Sequence, residues 1–237
     1  MALKRLKIEL KKLRDLILRR VYLSKSKEDD VVNRFHKLYY DSYLLGGTWE
    51  NTKWMGHSVR KCPLDMWIYQ EILFELKPDI IIELGTCRGG SALFLAQVCE
   101  LIKSGKIISI DIKKRNNLPN HSRINYLIGK STSYEILEEL RQIVGSNDTV
   151  LVIADSDHSY QNVLEELQIF SQFVTLGSYF IVEDGNLNGN PVEPNFGPGP
   201  QEAILEFLAS RKDFISDKSR EKFYMTFNPN GYLKKIS

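Results

Sequence analysis

Val150-Leu151-Val152-Ile153-Ala154, followed directly by Asp155-Ser156-Asp157-His158, is the stretch that decides the fold. An apolar, largely β-branched run without polar interruption reads as a strand buried on both faces, as a parallel sheet covered by helices requires. A second such run, Tyr179-Phe180-Ile181-Val182, ends in Glu183-Asp184. Both acidic clusters should therefore emerge at the carboxyl edge of one sheet, where carboxylates gather for a hard metal ion or for acid/base chemistry. Acidic residues after strands also cap helices, but Glu183-Asp184 leads into a Gly-, Asn- and Pro-rich loop.

On either side, strand and helix patterns alternate. Strands are expected near Ile80 to Leu84, Lys106 to Ile110, Ile124 to Ile128, Val150 to Ala154 and Tyr179 to Val182. Helices are expected near Ser91 to Ile102, Tyr134 to Val144, Tyr160 to Phe173 and Gln201 to Arg211, and another runs from Leu64 to a stop at Pro78. This alternation predicts an α/β fold with a doubly wound, mostly parallel sheet. At the end, Phe223 to Phe227 and Tyr232 to Lys235 flank Asn228-Pro229-Asn230-Gly231, whose Asn-Gly pair predicts an antiparallel hairpin. Gly46 to Pro63 lacks periodicity and reads as an ordered loop.

The N-terminal part differs. Leu3, Leu6, Leu10, Leu13 and Ile17 place one apolar stripe on a helix surrounded by Lys and Arg. Such a helix suits the surface of an anionic membrane, or it packs on the domain or a second subunit. Lys25 to Asp30 reads as a charged linker, and Val31 to Leu45, with Phe35, Leu38, Tyr39 and Tyr43, as a second helix. The expected organisation is a basic helical extension over residues 1–46 and a catalytic domain over 47–237.

With 237 residues and 43% hydrophobic content, the chain suits one α/β core plus an extension. Its net charge of +2 hides an asymmetry: the first 27 residues carry about ten Lys and Arg, leaving the rest net acidic. An acidic catalytic edge repels phosphate, so nucleic acid is not expected as a partner. Cys62, Cys87 and Cys99 lack metal-ligand spacing, and no secretory signal or membrane-spanning run is visible. A cytoplasmic setting follows, with membrane association at most at the inner surface.

Glu83-Leu84-Gly85-Thr86-Cys87-Arg88-Gly89-Gly90 follows the first strand and opens onto a helix. Glycines there let a ligand approach the backbone and the free N–H groups of the helix start. The spacing is neither the G-x-G-x-x-G of dinucleotide enzymes nor a P-loop, which disfavours pyrophosphate. Asp111 ends the second strand, where an acid accepts hydrogen bonds from ribose hydroxyls. Glu83 is a candidate to hold the ligand's amino group, directly or through water. An acidic Gly-rich turn followed by an acid ending the next strand fits S-adenosylmethionine.

Several motifs then occur in order: K-C-P-L-D-M-W-I-Y-Q-E-I-L at Lys61 to Leu73, E-L-G-T-C-R-G-G-S-A at Glu83 to Ala92, I-S-I-D-I at Ile108 to Ile112 and D-S-D-H-S at Asp155 to Ser159. I-V-E-D at Ile181 to Asp184, F-G-P-G-P at Phe196 to Pro200 and F-N-P-N-G-Y-L at Phe227 to Leu233 complete the set. On these motifs the stretch from about Trp49 to Lys235 resembles the cephalosporin hydroxylase family. Its members resemble metal-dependent S-adenosylmethionine O-methyltransferases, including those of macrolide and glycan sugars. The resemblance implies a Rossmann-like class I methyltransferase fold, Mg²⁺ and S-adenosyl-L-methionine as cofactors, a sugar, glycan or glycosylated metabolite as acceptor, and a homo-oligomer.

Carried over residue by residue, the resemblance implies Asp155, Glu183 and Asp184 as metal ligands and His158 as the catalytic base beside Asp155. It implies Gly85, Thr86, Gly89, Gly90, Ser91, Asp111, Asp155 and Ser131 as the donor-binding set, with Glu83 at its base. Oxygen ligands suit Mg²⁺, and an imidazole of ordinary pKa about 6.5 takes a proton near neutrality. Asp157 competes with Asp155, since only the register of the turn separates them. His158 has a capping alternative, and His36, His57 and His121 read as surface or loop histidines. Trp49, Trp54 and the Phe196 to Pro200 loop either cover the substrate or pack. Gly185 departs from the family, whose members tend to carry a side chain beside the metal. Despite the family's name, neither a His-x-Asp facial triad for iron nor a flavin motif occurs. Two competing functions remain: a nicotinamide-dependent oxidoreductase, and a non-catalytic assembly subunit held at a membrane.

Overall fold

A computed structural model describes residues 2–22 and 25–237; within these, the side chains of Ala2, Leu3, Lys4, Arg19, Val21, Tyr22, Tyr43 and Leu45 lie outside the described set. Its centre is a sheet of seven strands, ordered β5-β4-β3-β6-β7-β9-β8. Strands β3 (Ile80–Leu84), β4 (Lys106–Asp111), β5 (Ile124–Ile128), β6 (Val150–Ala154) and β7 (Tyr179–Val182) run parallel. The predicted doubly wound, class I methyltransferase-like sheet is present. Every residue of β3, β6 and β7 is buried, which explains the uninterrupted apolar runs of β6 and β7; in β3 only Glu83 breaks the run.

Alternation along β3 divides the core. Ile80, Ile82 and Leu84 face a cluster completed by α5 (Tyr134–Ile143), α6 (Tyr160–Phe170) and α7 (Pro200–Ser210), whereas Ile81 faces α3 (Pro63–Leu76) and α4 (Gly90–Ile102). Pro63 starts α3, and left-handed Lys77 ends it before Pro78. The chain winds outward through β4 and β5, then returns to lay β6 on the other side of β3. Ligands of open α/β sheets bind at such a reversal. Leu84 pairs with Ile110 and with Ala154, and Ala154 pairs with Val182. Gly85, Asp111, Asp155 and Glu183, each the next residue, therefore share one edge.

The C-terminal hairpin differs from expectation. β9 (Tyr232–Lys235) runs antiparallel to β7 and pairs outward with β8 (Phe214–Ser216), not with Phe223 to Phe227. That segment is drawn off by Asp65, whose carboxylate accepts hydrogen bonds from Thr226 Oγ1, Phe227 N at 2.8 Å and Tyr232 Oη at 2.8 Å. A backbone N–H committed to a buried carboxylate is lost to a ladder. Between Gly46 and Pro63, Lys53–Trp54 (β1) and His57–Ser58 (β2) form a small antiparallel pair where a loop was expected.

The N-terminal helices are α1 (Ala2–Tyr22) and α2 (Lys25–Leu45), so the expected linker from Lys25 to Asp30 belongs to α2. Glu28 lies in the first turn, where the helix macrodipole favours negative charge. His36, expected at the surface, is buried; it stacks on Phe227 with ring centroids 5.4 Å apart, and Asn186 Nδ2 lies 3.0 Å from its Nε2. Burial pushes this imidazole down to about 4. The unfolded chain, with His near 6.5, binds a proton that the folded chain refuses, so this contribution is full above about 6.5 and is lost as pH falls toward 4. Urea unfolding should show the parent losing roughly 1–2 kcal/mol between pH 6.5 and 5 that His36→Gln does not lose; equal losses would refute the buried neutral state.

Candidate active site

The turn after β3 is shaped by close backbone approach. Gly85 has φ 104°, and a Cβ there would stand 1.8 Å from the carbonyl oxygen of Asp155. A Cβ on Gly90 would meet the carbonyl oxygen of Ser58 at 2.2 Å, because the β1–β2 hairpin lies on the start of α4. Beneath the turn, Glu83 is fully buried and accepts hydrogen bonds from Ser91 Oγ and Ser109 Oγ, both at 2.5 Å. Thr86 Oγ1 joins Ser109 Oγ at 2.7 Å. Glu83 thus supports the turn from behind; it and Gly89, both expected in the donor-binding set, are absent from the cleft lining, while Gly85, Thr86, Gly90 and Ser91 line it.

The cleft measures about 660 Å³, within the range of small-molecule sites. Asp111 lines it and ties the turn down, its Oδ2 accepting from Cys87 N at 3.0 Å and its Oδ1 from Lys113 N at 2.9 Å. On the far wall Ser131 Oγ donates to Glu166 at 2.7 Å, and Ser156 Oγ bonds both oxygens of the same carboxylate at 2.8 and 2.9 Å. Burial raises the pKa of Glu166, and the serine hydroxyls oppose that shift.

At the sheet edge, ligand atoms of Asp155, His158 and Asp184 lie within 4.8 Å of one another. His158 Nε2 is 3.2 Å from Asp184 Oδ2. Asp184 has φ 57°, a left-handed conformation that redirects the chain just after β7. Asp157 points elsewhere, its Oδ1 accepting from Ser159 N at 2.8 Å at the start of α6. Glu183 is buried behind Asp155, and both are bridged by the buried Lys61, whose Nζ stands 2.6 Å from Asp155 Oδ2 and 2.5 Å from Glu183 Oε1. Burial alone would lower the pKa of Lys61, but the two carboxylates reverse the sign and hold it charged. Burial, then Asp155, push Glu183 well above the carboxylate range; burial also raises Asp184, against the pull of His158. The carboxylate oxygens of Asp155 and Asp184, gathered with an imidazole nitrogen in front of the Lys61–Glu183 pair, form a donor set that fits a divalent cation.

Sequence reasoning missed Lys61 and Glu166. Lys61 stood in a quoted motif without a role, and its partners are remote in the chain. Glu166 left a signal: with Val163, Leu167 and Phe170 it occupies the buried face of α6, a spacing at which an acid is out of place. Trp54 packs on Phe94 and donates to Gln97, whereas Trp49 lines the cleft beneath Arg60. Glycine at 185 has a cause, since a Cβ there would come within 2.9 Å of the carbonyl oxygen of Pro229.

The profile of the family described as Rhamnosyl O-methyltransferase/CmcI matches residues 46–236. The chain belongs to this family. A Rhamnosyl O-methyltransferase of Mycobacterium leprae (strain TN) is 40% identical over 211 residues, covering 86% of this chain and 90% of the relative. The Rhamnosyl O-methyltransferase of Mycobacterium bovis (strain BCG / Pasteur 1173P2) is 37% identical over 212 residues, covering 86% and 85%. Among solved structures, CmcI with Mg and SAM is similar at 22% identity and TM-score 0.62, covering 83% of this chain and 84% of that one; the likeness is one of fold. For this Rhamnosyl O-methyltransferase/CmcI family member, Lys61→Met leaves the Asp155 and Glu183 carboxylates crowded without their cation. Denaturant unfolding in chelator should show a loss of about 3–5 kcal/mol; unchanged stability would contradict a structural role for the ammonium.

Proposed function

We propose that the protein is an S-adenosylmethionine- and Mg²⁺-dependent O-methyltransferase acting on a hydroxyl of a sugar, glycan or glycosylated metabolite. The observation that carries this reading is the meeting of Asp155, His158 and Asp184 at the edge of the same cleft that holds the Gly-rich turn and Asp111. The catalytic unit is residues 47–237. The relatives' names, which specify rhamnosyl O-methylation, support the reaction class.

In this reading the ribose hydroxyls of the donor bond to Asp111, and Gly85 and Gly90 let the donor lie against the backbone. Ser131 meets the adenine edge. Asp155 and Asp184, which line the cleft, and Glu183, behind Asp155, are the residues that would hold the ion. Bound there, Mg²⁺ supplies Lewis acidity that lowers the pKa of an acceptor hydroxyl. The acceptor oxygen forms a bond to the donor's methyl carbon as the carbon–sulfur bond breaks, and His158 takes the hydroxyl proton. Asp184 Oδ2, 3.2 Å from His158 Nε2, orients the imidazole. Alignment of acceptor oxygen, methyl and sulfur in this cleft supplies much of the acceleration.

The protein is proposed to work in the cytoplasm, where its free cysteines remain reduced, and as a homo-oligomer. Among the described residues, no helix is long and apolar enough to cross a membrane.

Mass spectrometry of a glycan or metabolite pool incubated with donor and Mg²⁺ should show a species gaining one methylene; no gain from any sugar-bearing pool would count against the reading. Isothermal titration should show Asp111→Ala weakening S-adenosylmethionine at least about tenfold. Asp155→Ala should keep most of that affinity yet lose turnover, as chelation of the parent should. Activity of Asp155→Ala in chelator would remove the metal from the mechanism.

A further inference from the structure

α1 presents an apolar stripe that is exposed among the described residues. Leu6, Leu10, Leu13 and Ile17 recur at the 3–4 spacing of one helix face and are 58%, 57%, 54% and 54% exposed. A helix with such a face is stable when the face is buried against something. α2 is fastened to the catalytic domain by His36 against Phe227, and α1 precedes it in the chain. The family match begins only at residue 46, so methyl transfer does not account for α1.

Charge selects the occupant. The 3–4 spacing would also suit a coiled-coil seam with a second copy. Yet the first 27 residues carry about ten Lys and Arg against Glu9 and Asp15, and pairing two such helices brings like charges together. An anionic surface reverses the sign, each Lys or Arg near it contributing about 1 kcal/mol. The rest of the chain is net acidic and gains nothing there. α1 is too polar to span a bilayer, which leaves it lying in the interface.

We propose that α1 docks in the plane of a bilayer rich in anionic phospholipid, with Leu6, Leu10, Leu13 and Ile17 at the acyl boundary and the lysines and arginines among the headgroups. Docking brings the cleft to saccharides carried by that bilayer. This consequence rests on the methyl-transfer reading; the docking does not.

Co-sedimentation of the full chain with vesicles, without donor or metal, tests it. The parent should pellet with phosphatidylcholine–phosphatidylglycerol vesicles and stay in solution with phosphatidylcholine alone. Leu10→Glu/Leu13→Glu should weaken pelleting at least about tenfold, and Lys11→Glu/Lys12→Glu should reduce it while keeping the stripe. Methyl transfer to a soluble glycoside should be unchanged in both variants, so loss of docking and failure of the catalytic reading are separable. Failure of the parent to pellet overturns the proposal, and so does pelleting that survives Leu10→Glu/Leu13→Glu. An oligomer that this variant splits, without vesicle binding, would assign the stripe to a second copy.

Discussion

Where β3 and β6 lie side by side, the backbones beyond their ends come so close that Gly85 has no room for a side chain against the carbonyl of Asp155. This contact fixes the Gly-rich turn relative to the acidic edge, and the proposed placement of both substrates depends on it. The parallel register adds Asp111 on one side and Glu183 on the other. Burying these carboxylates together costs free energy, which Lys61 offsets from the start of the α3 segment. Tyr69 extends the network from α3, contacting Glu183 and accepting from Asn228 Nδ2 at 2.9 Å, so the C-terminal loop is coupled to the acidic cluster.

The electrostatic design is divided. At the cleft, carboxylates outnumber their buried cation, an arrangement suited to a divalent ion and hostile to phosphate. At the N-terminus the imbalance has the opposite sign and sits on a helix with an exposed apolar stripe. The two regions are bridged by α2, whose His36 is 3.0 Å from Asn186, close in sequence to Asp184. The seating of the extension and the geometry of the acidic edge therefore share the contact between Asn186 and Phe227, whose backbones are joined by Asn186 N donating to Phe227 O at 3.2 Å.

Much of the fold was legible because it rests on local signals. Uninterrupted apolar runs mark strands buried on both faces, Pro78 marks a helix stop, and the acids directly after β6 and β7 mark the edge. Legibility failed where a side chain from afar overrides local preference. Phe223 to Phe227 has strand composition, but Asp65 takes its backbone hydrogen-bonding group. His36 looked like a surface residue until Phe227 stacked on it, and Lys61 makes sense only beside Asp155 and Glu183, far along the chain. The linker at Lys25 to Asp30 failed differently, since charged residues of good helix propensity continue a helix as readily as they interrupt one.

The central claim is spatial: one divalent ion held by Asp155, Glu183 and Asp184, beside a nucleoside held by Asp111. A crystal grown with S-adenosylhomocysteine and Mn²⁺ in place of Mg²⁺ reads this directly through anomalous scattering. The account predicts a single strong peak among the three carboxylates, with the ribose on Asp111 and His158 facing the remaining open positions. A nucleoside bound in the cleft with no peak there, and Lys61 alone holding Asp155 and Glu183, would contradict it.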